Sequence, residues 1–155
     1  MDIFPWKVYN GLKRKGVGPM DFQKIAEYRN ANNPAVTRLG IFVTEIGPGH
    51  AKVRKTIGPE DLNPLKVPHG GIYFSMADTA CGSAMAAHGR VAVTMNASYN
   101  FFRSAKLGDT LTAEAAEIKT GKTVCVYEAR VTDQNGTLLG TGTFTFFQTE
   151  QKIEF

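Results

Sequence analysis

Hydrophobic residues in the first third of the chain follow the spacing of an amphipathic helix. Phe22, Ile25 and Ala26 fall on one helical face. The run stops before Pro34, because proline disfavours helical backbone in the residue that precedes it. The pattern therefore predicts a helix over about residues 20–31.

From residue 38 to residue 56 the pattern changes to the alternation that is typical of strands, with the turn sequence Gly47-Pro48-Gly49 in its middle, so it predicts a hairpin. Residues 57–68 contain three prolines, which lack the N–H that a sheet needs, and they predict a loop. After residue 89 the pattern predicts three or four antiparallel strands, at about 91–102, 109–119, 123–133 and 137–147. A turn at Asn135-Gly136 joins the last two.

The segment from His69 to His88 is the longest helical stretch that the pattern predicts. It is rich in alanine, it contains Asp78 as its single formal charge, and Gly89 after it favours the end of a helix. A helix with so few charged residues is expected to be surrounded by other parts of the protein. An antiparallel sheet must bury one face, and this helix is the only predicted element large enough to cover it. The sequence therefore predicts an α+β hotdog fold, a curved antiparallel sheet wrapped around one long central helix at about 69–88.

Length and composition are those of one globular domain. The chain has 155 residues, of which 43% are hydrophobic and 21% are charged. We divide it into an N-terminal arm at 1–20, a single hotdog domain at 21–150 and a C-terminal tail at 151–155. Two isolated cysteines, Cys81 and Cys125, predict buried, inert thiols rather than a disulfide framework or a zinc site.

Targeting signals and charge limit the expected partners. The sequence starts without the basic-then-apolar order of a secretory signal, and no apolar run is long enough to cross a membrane, so we expect a cytoplasmic protein. The net charge is +4, and residues 1–24 alone contribute +3, from five basic and two acidic side chains. A basic segment can bind nucleic acid, but it more often forms a solvated face, and we expect no nucleic-acid partner.

Asp78 is the first candidate for chemistry, because an unpaired carboxylate inside an apolar helix is costly. Either a lysine or a hydroxyl across the core satisfies this carboxylate, or it takes part in function, and the residues alone leave both interpretations open. Gly71, Ser75 and Gly82 share its helical face, and a stripe of small residues leaves room for a ligand.

The start of the same helix is the second candidate. Gly70 and Gly71 let a ligand approach free backbone N–H groups, where the helix dipole favours negative charge. His69 either contacts a ligand or only hydrogen-bonds to the helix start. Gly70 and Asp78 are eight residues apart, about 12 Å along the axis, so one helix cannot place both on one reacting carbonyl. If both serve one reaction they come from two chains, which predicts a symmetric homodimer with composite sites.

Other catalytic and metal-binding motifs are absent from the sequence. Residues 120–123 resemble the end of a phosphate-binding loop, but Ala116 replaces the leading glycine, so we predict a turn. Neither a Gly-x-Ser-x-Gly elbow nor a His-Glu-x-x-His pair is present, and the three histidines lack metal-ligand spacing. The sequence predicts neither a metal nor a cofactor.

Six short motifs follow one another in a specific order: Asn63-Pro64, His69-Gly70-Gly71, Ala77-Asp78-Thr79-Ala80, Met95-Asn96-Ala97-Ser98-Tyr99, Arg103-Ser104-Ala105 and Gly108-Asp109. Together they resemble the phenylacetate-degradation (PaaI-like) type of hotdog-fold acyl-CoA thioesterase, and the likeness runs from about residue 33 to residue 147. The resemblance implies an enzyme that hydrolyses a small acyl-CoA or aryl-CoA without a metal. It also implies a dimer of dimers, and so a homotetramer.

The resemblance also implies roles for single residues. Asp78 matches the nucleophile or general base, and the Gly70 amide matches the group that polarises the thioester carbonyl. Asn63 is expected to help to place water or the thioester, and His69 to contact the substrate near its carbonyl.

Further residues are candidates for substrate binding: Gly71, Ser75, Asn96, Arg103, Lys119 and Lys122. Of these, Arg103 and the basic turn from Lys119 to Lys122 are the implied partners of the CoA phosphates. One position departs from the family, since many relatives have serine or threonine where this chain has Ala92. If that hydroxyl orders the attacking water, activity here is slower or depends on Thr94, two residues further on the same strand face.

Two alternatives to hydrolysis stay open at this point. One is a hotdog hydratase or dehydratase, and the other is a non-catalytic hotdog module that binds acyl-CoA. The second stays open because Ala92 lacks the hydroxyl that many relatives have at this position. The sequence does not predict which acyl group is bound.

Overall fold

The structure, a computed structural model, describes residues 20–154, so the predicted N-terminal arm lies outside the described residues apart from Met20. The helices are α1 (Phe22–Ala31), α2 (Pro34–Arg38) and α3 (Gly70–Ala86), and Pro59–Asp61 forms a 3₁₀ turn. The strands are β1 (Phe42–Gly47), β2 (His50–Thr56), β3 (Arg90–Phe101), β4 (Thr110–Thr120), β5 (Val124–Thr132) and β6 (Leu138–Lys152).

The six strands form one antiparallel sheet in the order β1-β2-β4-β5-β6-β3. Helix α3 packs on this sheet and contacts every strand of it. Small side chains make a close approach possible, and the fully buried residues of the helix are Met76, Ala77, Ala80, Cys81, Ser83 and Ala84. The α+β hotdog fold that the sequence predicts is confirmed.

The side chains of β5 alternate as the sequence predicts. Cys125, Tyr127, Ala129 and Val131 are buried against α3, whereas their neighbours along the strand are half-exposed or exposed. Both Cys81 and Cys125 are buried, and neither forms a disulfide. The prediction of two buried thiols outside any disulfide is therefore confirmed.

The predicted boundaries differ from the structure in several places. Residues after Pro34 form the short helix α2, which the sequence analysis missed; proline is tolerated at a first helical position because the N–H there needs no partner. Residues 39–41, predicted as strand, form the turn after α2, where Gly40 has a φ of +66°. Strand β6 runs to Lys152 instead of ending at 147, because its last residues pair with the start of β3 at Arg90.

Strand β3 lies at an edge of the sheet, and β6 is its only strand partner among residues 20–154. The strand is 12 residues long, and Val93 and Met95 are 58% and 59% exposed. A long edge with exposed apolar side chains is open to pairing with a strand of another chain.

The loop between β2 and α3 is held in place by a buried ion pair. Lys55 Nζ lies 2.7 Å from Asp61 Oδ2, and both side chains are 2% exposed. Lys55 also donates to the Leu39 carbonyl, and Asp61 Oδ2 accepts the Gly58 N–H at 2.8 Å. The main-chain carbonyl of Asp61 accepts the N–H of His69 at 2.8 Å. The ion pair therefore fixes the residue that precedes α3.

Lys55→Met is expected to lower the free energy of unfolding by about 3–5 kcal/mol, because it leaves the Asp61 carboxylate buried without its cation. Lys52→Met on the same strand is the matched control. Its ion pairs with Glu114 and Glu45, at 3.3 and 3.6 Å, are partly exposed, so its loss is expected to stay below about 1 kcal/mol. Urea unfolding followed by circular dichroism measures both losses, and equal values would contradict the expectation.

Candidate active site

Helix α3 begins with His69 as its N-cap. His69 Nδ1 accepts the Gly71 N–H at 2.9 Å, and the His69 carbonyl accepts the Ile72 N–H at 2.9 Å. The Gly70 N–H, by contrast, donates to no acceptor within residues 20–154. Because Nδ1 is an acceptor, a neutral His69 ring carries its proton on Nε2, and this exposed N–H can donate to a ligand. The helix start thus offers a free amide and a neighbouring imidazole N–H.

The ring of Phe101, at the end of β3, lies over Gly70. A Cβ atom on Gly70 would lie 3.2 Å from Phe101 Cε1, so a side chain there requires the ring to shift. Phe101 also contacts Tyr99 and Tyr73, with ring centroids 4.7 and 6.1 Å away. The phenyl ring is 55% exposed. An aromatic wall therefore stands beside the free amide.

Asp78 lies near the middle of α3 and is half-buried. Its Oδ1 accepts a hydrogen bond from Thr94 Oγ1 of β3 at 2.7 Å, while its Oδ2 accepts none from the described part of the chain. A hydroxyl partner is what a purely structural aspartate needs, and an open oxygen is what a base or nucleophile needs. Burial, and then the charges of Asp78 and Glu128, raise the pKa of the adjacent Cys81 thiol well above its usual value. The thiol therefore stays protonated and does not compete as a nucleophile.

A cleft of about 330 Å³ opens beside Asp78. Among the residues that line it are Arg29 of α1, Gly82 of α3, and Arg90 and Thr94 of β3. Burial lowers the pKa of Arg29, and the nearby charge of Asp78 acts in the opposite direction. Since an arginine keeps its proton under ordinary conditions, the cleft contains a carboxylate and two guanidinium groups.

Asn63 lies in a tight turn of the loop before α3. Its Oδ1 accepts the N–H of Leu65 at 2.9 Å and the N–H of Val67 at 3.4 Å. Its main-chain N–H and carbonyl bond within the same turn, to Val67 and Lys66. The side-chain Nδ2 donates to no acceptor in the described residues, so Asn63 can offer a ligand only its amide N–H groups.

Most of the predicted site residues lie in three separate parts of the fold: on α3, beyond the end of β3, and at the β4–β5 turn. Gly70 and Asp78 lie on one continuous helix, about 12 Å apart along its axis. Arg103 lies beyond the end of β3 and donates from Nη1 to the first carbonyl of β6 at 3.2 Å. Lys119 and Lys122 lie at the β4–β5 turn, which is next to the other end of β6. One chain therefore does not bring these basic residues together.

The remaining predicted residues lie along α3 and β3. Ser75 is half-buried on the same helical face as Asp78, and Gly71 is exposed with its N–H bonded to His69. Asn96 is exposed on β3, two residues after Thr94. The Thr94 hydroxyl, the predicted alternative to a hydroxyl at the position of Ala92, donates to Asp78.

Sequence analysis did not identify Arg29 or Arg90 as site residues. A usable signal existed for Arg29, because it follows Ile25 by four residues and Ala26 by three and therefore lies on the buried face of α1. A charged residue on such a face has to find a polar environment. Arg90 gave no comparable signal, since it begins β3, and the neighbours of a strand cannot be predicted from local pattern.

Neither the turn at 120–123 nor a metal-binding cluster adds a further candidate site within residues 20–154. The turn at 120–123 joins β4 to β5, with the Gly121 N–H donating to the Val124 carbonyl at 2.9 Å, as predicted. Between residues 20 and 154, no group of three or more His, Cys, Asp or Glu side chains could hold a metal ion. No helix in that part of the chain combines the length and hydropathy that crossing a bilayer requires.

The chain is similar to a known protein family and to individual proteins of related sequence. Residues 65–139 match the family model of the thioesterase superfamily. A putative esterase of Archaeoglobus fulgidus is 30% identical over 129 residues, which cover 83% of this chain and 84% of the relative. The acyl-coenzyme A thioesterase PaaI of Escherichia coli is 36% identical over 103 residues, which cover 66% of this chain and 74% of that protein.

Solved structures extend the likeness to the fold. The PaaI protein of the E. coli phenylacetic acid degradation operon superposes with a TM-score of 0.82 at 29% identity, covering 86% of this chain and 96% of that chain. A hypothetical thioesterase of Streptococcus pneumoniae, solved with coenzyme A, has a TM-score of 0.70 at 28% identity and covers 86% of this chain and 98% of its own.

Two alanine variants of a hypothetical thioesterase of S. pneumoniae also match, with TM-scores of 0.68 and 0.69 at 30% identity, each covering 72% of this chain and 91% or 92% of its own. One variant replaces a threonine and the other an aspartate 16 residues earlier. Taken with the fold and the family model, these relatives show that the chain belongs to the thioesterase superfamily, as a hotdog-fold thioesterase of the PaaI-like type.

Proposed function

We propose that the chain hydrolyses an acyl-CoA or aryl-CoA thioester to the free acid and CoA. In this proposal Asp78 is the nucleophile or general base, and the Gly70 N–H is the donor to the oxyanion. The observation that carries it is the open Oδ2 of Asp78 beside a cleft, on a helix whose first N–H has no acceptor in the described residues. The expected leaving group is CoA.

The two possible roles of Asp78 differ in which oxygen attacks. As a general base, Asp78 Oδ2 takes a proton from water while the water oxygen bonds to the thioester carbonyl carbon. As a nucleophile, Oδ2 itself forms that bond, and water later cleaves the resulting anhydride. In both routes the carbonyl oxygen becomes an oxyanion, and the carbon–sulfur bond breaks when the intermediate collapses. The Gly70 N–H, at the positive end of α3, is suited to stabilise this oxyanion.

The relatives support the involvement of Asp78 and Thr94. Asp78 and Thr94 are 16 residues apart, the same residue types and spacing as the two positions altered in the S. pneumoniae variants. A hypothetical thioesterase of S. pneumoniae was solved with coenzyme A, which supports CoA as a ligand of this site. The Thr94 hydroxyl also supplies the group that Ala92 lacks. This favours a catalytic protein over a non-catalytic binding module.

His69 and Asn63 are proposed to act as donors. His69 has Nε2–H available and Asn63 has Nδ2–H available, while the acceptor atom of each side chain already takes backbone N–H groups. Both side chains can therefore hold the thioester oxygen or donate to a water molecule, but neither can act as the base. This leaves proton abstraction to Asp78.

We propose that the complete site is shared between two chains of a homodimer, and that two such dimers assemble further, as the resemblance implies. The 12 Å between Gly70 and Asp78 along α3 exceeds the roughly 7 Å that can separate two groups in contact with one carbonyl. The exposed edge of β3 offers a place at which a second copy can continue the sheet. Arg103 and the turn from Lys119 to Lys122 remain the candidate partners of the CoA phosphates.

A mixed dimer tests the shared site directly. Asp78→Asn and Gly70→Pro chains with different affinity tags are co-expressed, and the mixed dimers are isolated by two purification steps. They are expected to recover about half of the wild-type turnover, because each contains one intact and one doubly defective composite site. Wild-type dimers with the same two tags are the control. Mixed dimers as inactive as their parents would mean that both groups act within one chain.

Release of free CoA from a panel of thioesters tests the proposed activity. The panel contains short, medium, long and aromatic acyl groups, and a thiol reagent detects the product. Hydrolysis of at least one member is expected, with the activity lost in the Asp78→Asn variant. Binding without thiol release across the whole panel would favour the non-catalytic module. Addition of water to an enoyl-CoA without release of CoA would favour the hydratase.

A further inference from the structure

We propose that Arg29 binds a carboxylate at the far end of the acyl group, so that the protein prefers dicarboxylic acyl-CoA thioesters to those that end in a methyl group. This inference rests on the proposed function and adds a substrate class to it. Three observations carry it: how the guanidinium is held, how far it lies from Asp78, and which charges surround it.

The guanidinium of Arg29 is fixed by α3. Arg29 Nε donates to Ser83 Oγ at 2.9 Å, and the Ser83 hydroxyl uses its own proton on the Thr79 carbonyl at 2.7 Å. Arg29 Nη2 lies over Gly82, where a Cβ atom would be only 3.3 Å from it. A glycine at position 82 therefore lets the guanidinium approach the helix, and Nε is the only nitrogen of the group with a protein partner in the described residues. The remaining N–H groups are available to a ligand in the cleft that Arg29 lines.

The distance between Asp78 and Arg29 indicates that Arg29 contacts the acyl group rather than the CoA phosphates. Gly82 follows Asp78 by four residues, about 6 Å along the axis of α3. A thioester carbonyl beside Asp78 and a carboxylate at Arg29 are then separated by about three or four methylene groups. The pantetheine arm between the CoA sulfur and the CoA phosphates is much longer than this. Arg29 is therefore too close to Asp78 to serve those phosphates.

The positive charges of the cleft outnumber its negative charges. Arg29 and Arg90 both line it, and neither forms an ion pair within residues 20–154. The only carboxylate among the lining residues is Asp78. One further negative charge would balance the cleft, and a half-buried guanidinium without an ion-pair partner is costly. A carboxylate on the substrate supplies this charge, with charge-assisted hydrogen bonds to the free N–H groups.

Matched pairs of substrates test the inference on the purified protein. Glutaryl-CoA is compared with valeryl-CoA, and adipoyl-CoA with hexanoyl-CoA, so that each pair differs only in a terminal carboxylate or methyl group. The wild type is expected to have the higher kcat/KM for the carboxylate member of each pair. Arg29→Gln is expected to lower the ratio of the two kcat/KM values by about tenfold to a hundredfold, the usual weight of a hydrogen bond between charged groups.

Three further variants make the result specific. Arg29→Lys keeps the charge and loses the planar donor set, so its ratio is expected between those of wild type and Arg29→Gln. Arg90→Gln is expected to lower the ratio as well, and it replaces Arg29→Gln in the comparison if that variant does not fold. Lys24→Gln, on the exposed side of α1, is the control and leaves the ratio as in the wild type.

A change in the ratio cannot arise from a general loss of structure, which lowers both rates together. Equal losses on both members of a pair, or a wild type without preference for the carboxylate, would overturn the inference. Cleavage of the methyl-ended thioesters alone would overturn it while leaving the proposed function intact. No release of CoA from either series would overturn the inference, and no release from the whole acyl panel as well would overturn both.

Discussion

Asp78→Asn is expected to lower kcat for CoA release by at least about a thousandfold on every thioester that the protein cleaves. The amide keeps the size of the carboxylate and can still accept the Thr94 hydrogen bond through its oxygen. It can neither take a proton from water nor form an anhydride, so both proposed roles of Asp78 are lost together. Steady-state rates of thiol release on the best substrate of the panel measure the effect.

Glu45→Gln is a matched control for the loss of one carboxylate, because Glu45 is exposed on β1, at the edge of the sheet opposite to β3, and does not line the cleft. Its turnover is expected to equal that of the wild type. Thermal unfolding of the Asp78→Asn protein shows whether the fold is retained. A folded variant that keeps turnover within about tenfold would remove Asp78 from the chemistry, since general bases contribute more than this.

The second large effect is expected from removing a single N–H group. Gly70→Pro takes away the amide hydrogen that we propose as the oxyanion donor and is expected to lower kcat by about a hundredfold to a thousandfold. The backbone can accept this change, because Gly70 is the first helical residue, where proline fits. His69 has φ −62° and ψ 139°, the extended conformation that a residue before proline adopts.

Gly70→Ala is the matched variant for this experiment. Its Cβ meets Phe101 just as a proline ring does, but the N–H is kept. The difference in kcat between the two variants therefore reports the hydrogen bond, while the shared part of the loss reports the displaced ring. If both variants lose the same activity, the Gly70 N–H is not the oxyanion donor.

Local pattern predicted most of the fold. Helix α3 was expected at 69–88 and runs over Gly70–Ala86, because its signals are local: an apolar run, His69 before it and Gly89 after it with a φ of +69°. The candidate residues at its start and middle followed from the same stretch of sequence. The hairpins were also predictable, since their turns contain glycine at positions that require it, such as Gly136 with a φ of +79°.

Contacts between distant segments were not predictable in the same way. The hydrogen bond from Thr94 to Asp78 joins residues 16 positions apart, and the one from Arg29 to Ser83 joins residues 54 positions apart. Both depend on which strand or helix lies next to α3, and this neighbour is decided by the global packing of apolar faces rather than by local preference. The resemblance to a family directed attention to a hydroxyl at the position of Ala92 or at Thr94, but the contact of Thr94 with Asp78 needed the structure.

The pairing of β3 with β6 alone has a consequence for the order in which the site is made. Chain synthesis completes Asn63, α3 and β3 well before β6, which is the last of the described strands. Until residues 138–152 have left the ribosome, β3 has no strand partner in the described chain, and Thr94 has no sheet to hold it beside Asp78. A nascent chain that stops short of β6 contains every candidate catalytic residue and still lacks the catalytic arrangement.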